Sequence, residues 1–590
     1  MTERETTMRT PTALRRAFRV APALRKGLVV TLALAVCGTA VQIVVPITIQ
    51  RLIDGQILSP SGVDAGAVLL GGSIALVCVL IAAVARRQAL TRLARSSATG
   101  LADLRVAAFS HIHRLAMLHV QSERRGALVS RVTSDIETMQ TFMEWGGVGM
   151  VLGSAQVTLA VIAMFAYQWQ LALWVVVGVL IYASILLGSQ RLLRRAHDRV
   201  RDRVGDSLAA MGEAISGLET VRAYGMEGVM MRKLGAALDR QFRAEFGTAS
   251  LGAALFSSAE VFAGVITATV VALGVVFGPS WDMSAGTLVA FLFLVTLLVE
   301  PVQMLVETID MAQSAGAGLR QVLGVLDTPI EVPDPVDGVD LPGSGLGVSF
   351  AGVWFRYPTG DDVLRDVTVD IAPGSKVAVV GETGSGKTTF AKLATRLLDP
   401  TAGTVAIGGI PVDRIRFASL RRRVAFVPQE GFLFDMSVAD NVRYGKPGVD
   451  DTGVAAAFAD LGLSDWASSL PDGLATRVGE RGSNLSAGER QLVALVRAWI
   501  ADPDVLVLDE ATSAVDPALE VSLRRAIERL LHGRTSITIA HRLSTAEAAG
   551  EILVFGTGEL VERGSHAQLV ASGGVYARLH RDWEGATSSV

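Results

Sequence analysis

Apolar residues in this chain form long unbroken runs in the first half and short ones in the second. Six long runs, at 27–49, 65–84, 146–167, 171–187, 253–277 and 285–305, each come close to the ~20 apolar residues that carry a helix across a bilayer. The fourth is short and predicts a helix that extends at one end or the other. Two connections of roughly sixty residues, after the second and fourth runs, are amphipathic at helical spacing and lack the Pro/Gly clusters of loops. They predict spanning helices that continue beyond the lipid, turn and return. A helix of about thirty residues would reach roughly 45 Å at 1.5 Å per residue, so the turns would sit far from the lipid, where another domain could touch them.

The pattern changes near position 326. Residues 328–345, TPIEVPDPVDGVDLPGSG, supply Pro, Asp and Gly without periodicity and read as a linker. From about Gly347, short β-rich runs at 377–380, 424–427, 505–508, 536–539 and 552–555 alternate with helical stretches, the pattern of a soluble α/β domain. The expected organisation is a lead at 1–26, a membrane domain at 27–326, a linker at 327–346, an α/β domain at 347–583 and a tail at 584–590. No internal repeat of the large domain is visible.

Charge fixes the orientation. Arg15, Arg16, Arg19, Arg25 and Lys26 precede the first span; Arg86, Arg87, Arg92, Arg95 and Arg105 follow the second; Arg191, Arg194, Arg195 and Arg199 follow the fourth. The connections after spans one, three and five are short and poor in basic residues. The positive-inside rule therefore puts both termini in the cytoplasm of a multi-pass protein of the plasma membrane. The first 26 residues carry seven basic side chains, but the apolar run behind them is too long for a signal peptide and reads as a retained span. A hydrophobic fraction of 50% and a mean hydropathy of +0.42 are too apolar for a typical soluble protein. A net charge of −3 gives no reason to expect a nucleic-acid partner. The excess of Arg over Lys points to a GC-rich, bacterial genome. Cys37 and Cys78 lie in apolar runs and read as small buried hydrophobes, without disulfide or zinc spacing. His111 and His113, two apart on a helix, point in different directions and read as solvated.

The chemistry sits in the second half. GETGSGKT comprises Gly381, Glu382, Thr383, Gly384, Ser385, Gly386, Lys387 and Thr388, with Thr389 next. It follows the strand-like KVAVV and opens a helical stretch, which is the context a phosphate-binding loop needs. The glycines let backbone amides approach phosphates, Lys387 reaches the β- and γ-phosphates of ATP, the Thr388 hydroxyl serves Mg²⁺, and the helix start adds a favourable dipole. The apolar run 505–508 ends in Asp509, placed to hold Mg²⁺, and Glu510, placed to polarise the attacking water. Between these segments, LSAGERQ is a serine–glycine turn opening a helix.

These segments in this order resemble the ATP-binding-cassette (ABC) transporter family. Further positions match its motifs: Tyr357 the aromatic that stacks on adenine, Gln429 the glutamine that links Mg²⁺ and water to the membrane domain, and Asp516 in SAVD the D-loop. His541 matches the switch histidine near the γ-phosphate, and VGERG at 478–482 the cross-domain loop of exporter-type members. In the membrane half, residues 126–139 look like a first coupling segment, and 212–228 like the stretch preceding the fifth span. The resemblance covers nearly the whole chain after the first twenty residues. It implies a polytopic α-helical membrane domain of six spans in the exporter-type ABC fold, followed by an α/β P-loop ATPase domain. The site set implied is Glu510, His541 and Gln429 for hydrolysis, Tyr357 and 381–389 for ATP, and Thr388, Gln429 and Asp509 for Mg²⁺.

The signature segment Ser486, Ala487, Gly488 and Glu489 departs from the commonest family form, in which two glycines precede a glutamine. Ser486 can cap its helix while Glu489 returns the bond, a capping box. In the family this helix start faces the γ-phosphate of a partner domain, where Glu489 adds negative charge. Either the variant is tolerated or it completes a weaker site in a heterodimer. One membrane half with one ATPase half implies a half-transporter that pairs with a second copy or a different half, sandwiching two ATPs. The resemblance implies ATP-driven export of a lipid, drug or peptide. The alternatives are uptake of a siderophore or cobalamin, and an ATP-gated channel or regulator. Glu260 and Glu300 fall within or beside spans five and six, where ionisable groups are costly and often functional.

Overall fold

The computed structural model describes residues 15–16, 18–57, 63–118, 125–358, 360–509, 517–540 and 543–587. Glu510, Asp516 and His541 lie outside these residues, as do most of the lead and the last three residues of the tail. The chain divides into two compact units, one made of Met1–His113 with Arg125–Thr328, the other of Arg114–Arg124 with Pro329–Val590.

Among the described residues, six helices of the first unit are long and apolar enough to cross a membrane. The first is broken into α1 (Leu28–Gln42) and α2 (Val44–Leu52), with Pro46 in the first turn of α2 where its missing N–H costs nothing. Then come α3 (Ala65–Ile112), α4 (Ser134–Thr141), α5 (Gly147–Tyr167), α6 (Trp169–Ser216), α7 (Glu227–Phe277) and α8 (Ala285–Asp327). Helices α3, α6 and α7 run far past the apolar windows, as the amphipathic connections predict, and α8 continues past the sixth apolar run to Asp327. The fourth span lies in a helix that starts two residues earlier, at Trp169, and continues to Ser216.

Lipid offers no hydrophobic reward for pressing helices together, so close packing and internal hydrogen bonds must do it. Met164, Leu171, Phe291 and Leu294 form one fully buried cluster among α5, α6 and α8. Pro301 interrupts α8, and without a proline N–H the Leu297 carbonyl loses its helical donor. Gln156 of α5 replaces it, donating Nε2–H to Leu297 O at 2.9 Å. Gly153, one turn earlier on α5, makes room for this: a Cβ there would lie 3.3 Å from Leu305 Cγ and 3.5 Å from Pro301 O. At the other end of α8, the Ser284 side chain caps Thr287 N, and the Asp54 carboxylate accepts from Ser284 Oγ at 2.5 Å and Gly286 N at 2.9 Å. A carboxylate at a helix N-terminus is the favourable sign for the dipole.

One expectation fails here. Cys37 is exposed on the chain surface and Cys78 is only half-buried. Their apolar neighbours, such as Leu69, Leu76 and Val77, are exposed too. In a spanning helix an apolar surrounding can be lipid as well as protein, and the sequence pattern does not distinguish them. The histidines point apart as expected, His111 Nε2 meeting Thr328 O and His113 Nδ1 meeting Phe109 O, each at 2.9 Å; His113 is exposed, but His111 is half-buried rather than solvated.

The second unit holds two sheets. An antiparallel one has the order β2-β1-β4-β5, from β1 (Val348–Arg356), β2 (Asp362–Ile371), β4 (Ala402–Ile407) and β5 (Ile410–Pro411). The other has the order β10-β9-β3-β8-β7-β6, with β3 (Lys376–Gly381), β6 (Val424–Val427), β7 (Val505–Asp509), β8 (Thr535–Ile539), β9 (Glu551–Phe555) and β10 (Leu560–Gly564). All its pairings are parallel except β9 with β10. Every residue of β7 and β8 is buried, as a parallel strand covered on both faces requires. The linker is part of this unit: Leu341 and Leu346 enter its core, and the buried Arg396 donates to Pro333 O at 3.0 Å. Residues 114–118, expected within the membrane domain, also group here, with Leu118 packed on that core. The segment 126–139, which resembles a coupling segment, belongs instead to the first unit.

Candidate nucleotide-binding site

Parallel sheets collect their ligands at the carboxyl ends of the strands, and β3 ends in the Gly-rich loop. The loop turns into helix α9 (Lys387–Ala394) through Gly386 at φ +99°. A Cβ at Gly386 would sit 2.7 Å from Leu364 Cδ2 and 2.9 Å from Val363 O, so this position tolerates neither the strain nor the bulk of a side chain. Gly384, at φ +86°, has open space where its Cβ would be, leaving room for a close approach to the backbone. Glu382 and Thr383 are exposed, whereas Ser385 is buried with no hydrogen-bond partner for its Oγ among the described residues.

Lys387 is 7% exposed and folds back on the loop, donating to Gly381 O at 2.8 Å and Glu382 O at 2.7 Å. Burial pushes its ammonium pKa down, and the nearby Asp509 charge acts the other way. Thr388 Oγ1 donates to Asp509 Oδ2 at 3.2 Å, joining the loop after β3 to the end of β7 across the intervening β8. A hydroxyl and a carboxylate side by side are the hard oxygen donors that Mg²⁺ prefers. Thr389 is buried and its Oγ1 lies 3.0 Å from the Tyr357 hydroxyl, while the Tyr357 ring packs edge-on against Phe355.

Gln429 is exposed two residues beyond β6, whose Val427 pairs with Leu508 of β7. The parallel register therefore carries Gln429 to the same sheet edge as Asp509. Helix α10 (Ala487–Ala501) has the expected capping box: Ser486 Oγ accepts from Glu489 N at 3.3 Å, and Ser486 N donates to Glu489 Oε2 at 2.8 Å. Ser486 and Ala487 are exposed and Gly488 is buried. Sequence reasoning misses one partner: Trp466 Nε1 donates to Glu489 Oε1 at 3.2 Å. No local spacing signals a contact between residues 23 apart. Desolvation pushes the Glu489 carboxyl up, but its bonds to Ser486 and Trp466 outweigh this and hold it below the ordinary carboxylate value.

Residues 28–302 match the family described as the ABC transporter transmembrane region, and 364–513 match the family described as ABC transporter. The fatty acid ABC transporter ATP-binding/permease protein of Mycobacterium tuberculosis is 34% identical over 541 residues, 90% of this chain and 84% of that one. The ATP-dependent lipid A-core flippase of Pseudomonas syringae pv. tomato is 33% identical over 484 residues, 81% of this chain and 79% of that one. The structure of a bacterial Atm1-family ABC exporter with ATP bound superposes with a TM-score of 0.78 at 26% identity, covering 94% of this chain and 98% of that one. A chain with one membrane region and one ATPase domain of this fold works as a dimer in a lipid environment. With both regions in a single polypeptide, this protein belongs to the ABC transporter family, as an ATP-hydrolysing, multi-pass half-transporter of the exporter fold.

Proposed function

We propose that the chain exports an amphiphilic, lipid-like substrate across the plasma membrane, with both termini in the cytoplasm. One observation carries the substrate class beyond the names of its relatives: a cavity of about 330 Å³ in the membrane unit, bounded by α1, α3, α5 and α8. Its walls are mostly small and apolar, with Leu297, Pro301 and Met304 from α8. Its polar side chains are Thr39, Gln42, Arg86, Gln156 and Glu300. Apolar walls with a few convergent polar groups suit a ligand that has a chain and a head. Of the two spanning glutamates, Glu300 lines this cavity and Glu260 does not.

The drive comes from ATP. Lys387 exchanges its two loop carbonyls for the β- and γ-phosphate oxygens, and Tyr357 offers its ring to adenine. Thr388, Asp509 and Gln429 would hold Mg²⁺, which neutralises developing phosphate charge when bound. Glu510 orients and polarises the attacking water, and His541 and Asp516 complete the catalytic surround. Ser486, Ala487, Gly488 and Glu489 close the partner's ATP. Because the Glu489 carboxylate is tied to Ser486 N and Trp466, its charge is partly spent within its own helix start, which supports a working signature. Two identical chains would then form two equal sites. ATP binding closes the pair, and hydrolysis releases it, a two-state switch biased by ligand.

The test is ATP turnover of the purified protein in lipid vesicles. Single-chain acyl amphiphiles should stimulate it several-fold, and Glu300→Gln and Arg86→Gln should alter which headgroups do so. Equal stimulation by soluble peptides and none by amphiphiles would overturn the substrate class.

A further inference from the structure

Three potential ligand groups that nucleotide chemistry does not use meet near the C-terminus. Glu547 ends the short helix Leu543–Glu547, His566 opens the helix His566–Ser572, and His580 lies on the helix Val575–Thr587. The three are brought together by the fold, since their spacing in the chain resembles no metal motif. One ligand atom from each lies within 4.8 Å of the other two. His580 Nε2 is 3.6 Å from Glu547 Oε1, and the two imidazole rings are 5.2 Å apart, centre to centre.

The surroundings orient these side chains as a metal site would. His566 Nδ1 lies 2.8 Å from the hydroxyl of Tyr576, a fully buried side chain. That bond fixes the ring and assigns Nε2 as the ligating nitrogen, the usual outer-shell arrangement of a metal-bound histidine. Tyr576 is itself positioned, because the Glu562 carboxylate accepts from Val575 N at 2.5 Å and Tyr576 N at 3.0 Å. His566 is set by the Ser565–Gln568 capping box. His580 is 9% exposed, while Glu547 reaches solvent.

We propose that Glu547, His566 and His580 bind a divalent transition-metal ion, zinc above all. Two imidazole nitrogens and one carboxylate oxygen are a borderline donor set that suits zinc, cobalt or nickel better than magnesium or calcium. Bonds of about 2.0–2.1 Å in a tetrahedral site need ligand atoms about 3.4 Å apart. Glu547 Oε1 and His580 Nε2 are already nearly that close at 3.6 Å, and small side-chain rotations would draw the set together, with water in the fourth position. The ion would tie the short helix that begins at Leu543, just after His541, to the C-terminal helix.

Full-length protein without a polyhistidine tag, freed of metal by chelation and kept without nucleotide, is titrated with Zn²⁺ against a chromophoric chelator and with Co²⁺ by visible absorption. The wild type should take up one ion per chain at this site, give the intense ligand-field bands of low-coordinate Co²⁺, and melt at a higher temperature with Zn²⁺ than without. Glu547→Gln, whose side chain is exposed and whose fold is not at risk, should weaken binding by about 10-fold or more. His580→Ala should abolish the cobalt bands, and Tyr576→Phe should weaken zinc about 10-fold. If Glu547→Gln and His566→Ala bind zinc and cobalt as the wild type does, the proposal is wrong. Absence of the bands in the wild type would also overturn it.

Discussion

Thr388 Oγ1 and Asp509 Oδ2 stand 3.2 Å apart, one on the helix after the Gly-rich loop and the other at the end of a buried strand two places along the sheet. Neither position is near the other in sequence, and the pairing exists only because β8 lies between β3 and β7. If the pair holds Mg²⁺, Asp509→Asn should weaken ATP binding only when the cation is present. A loss of about 1.5–3 kcal/mol for a charged partner corresponds to roughly 10–100-fold in Kd. Titration with a fluorescent ATP analogue, in Mg²⁺ and then in chelator, measures both. Equal loss in both conditions would indicate a structural role instead.

Lys387 spends its ammonium on Gly381 O and Glu382 O. Lys387→Met keeps the length of the side chain and removes the charge. ATP affinity should fall by about 10–100-fold, with the melting temperature without nucleotide changed little, since removing the buried ammonium relieves its desolvation and offsets the two lost bonds. A large drop in melting temperature with unchanged ATP affinity would contradict the assignment.

The helix carrying Ser486 should be acid-sensitive through Glu489. Its folded pKa lies below the ordinary value of 4.5, so the ionised form is favoured by folding. The contribution is present above about pH 4.5 and is lost as pH falls through the folded value. Glu489→Gln should flatten that part of a melting-temperature profile and lower the melting temperature modestly at neutral pH, where the ionised carboxylate contributes, while leaving strongly acidic pH little changed. Ser486→Ala should cost about 1 kcal/mol at neutral pH, read in denaturant titrations of the full chain.

Gln156 acts as a substitute donor for the N–H that Pro301 lacks. Gln156→Leu should destabilise the membrane unit by about 1–2 kcal/mol, the cost of orphaning the Leu297 carbonyl. In a Pro301→Ala background the alanine N–H can bond Leu297 O, and the Gln156→Leu cost should shrink towards zero. The double-mutant cycle in a melting assay reads this coupling directly.

Much of this was legible in the chain because the strongest signals are local. A span is a contiguous apolar run, and a phosphate loop is a contiguous motif between a strand and a helix. The parallel strands β3, β6, β7, β8 and β9 are short apolar runs within a residue of where their pattern puts them. The antiparallel sheet leaves a weaker trace: β1 is bulged, with register shifts from Phe350 to Val353 and from Val353 to Phe355 that break its alternation. Contacts between distant segments leave none. Trp466 with Glu489, Gln156 with Leu297, and Asp54 with the start of α8 are products of tertiary packing. The exposure of Cys37 is illegible for another reason, since lipid and protein interior select the same residues.

ATP-driven outward movement of a lipid-like amphiphile is read out in inside-out membrane vesicles. With ATP on the outside of such vesicles, a labelled single-chain acyl amphiphile should accumulate inside with wild-type protein. Glu510→Gln protein should bind ATP and yet neither turn it over nor accumulate the label. ATP-driven depletion of preloaded label, ATP-independent leak, or accumulation that persists undiminished in Glu510→Gln would each contradict the account.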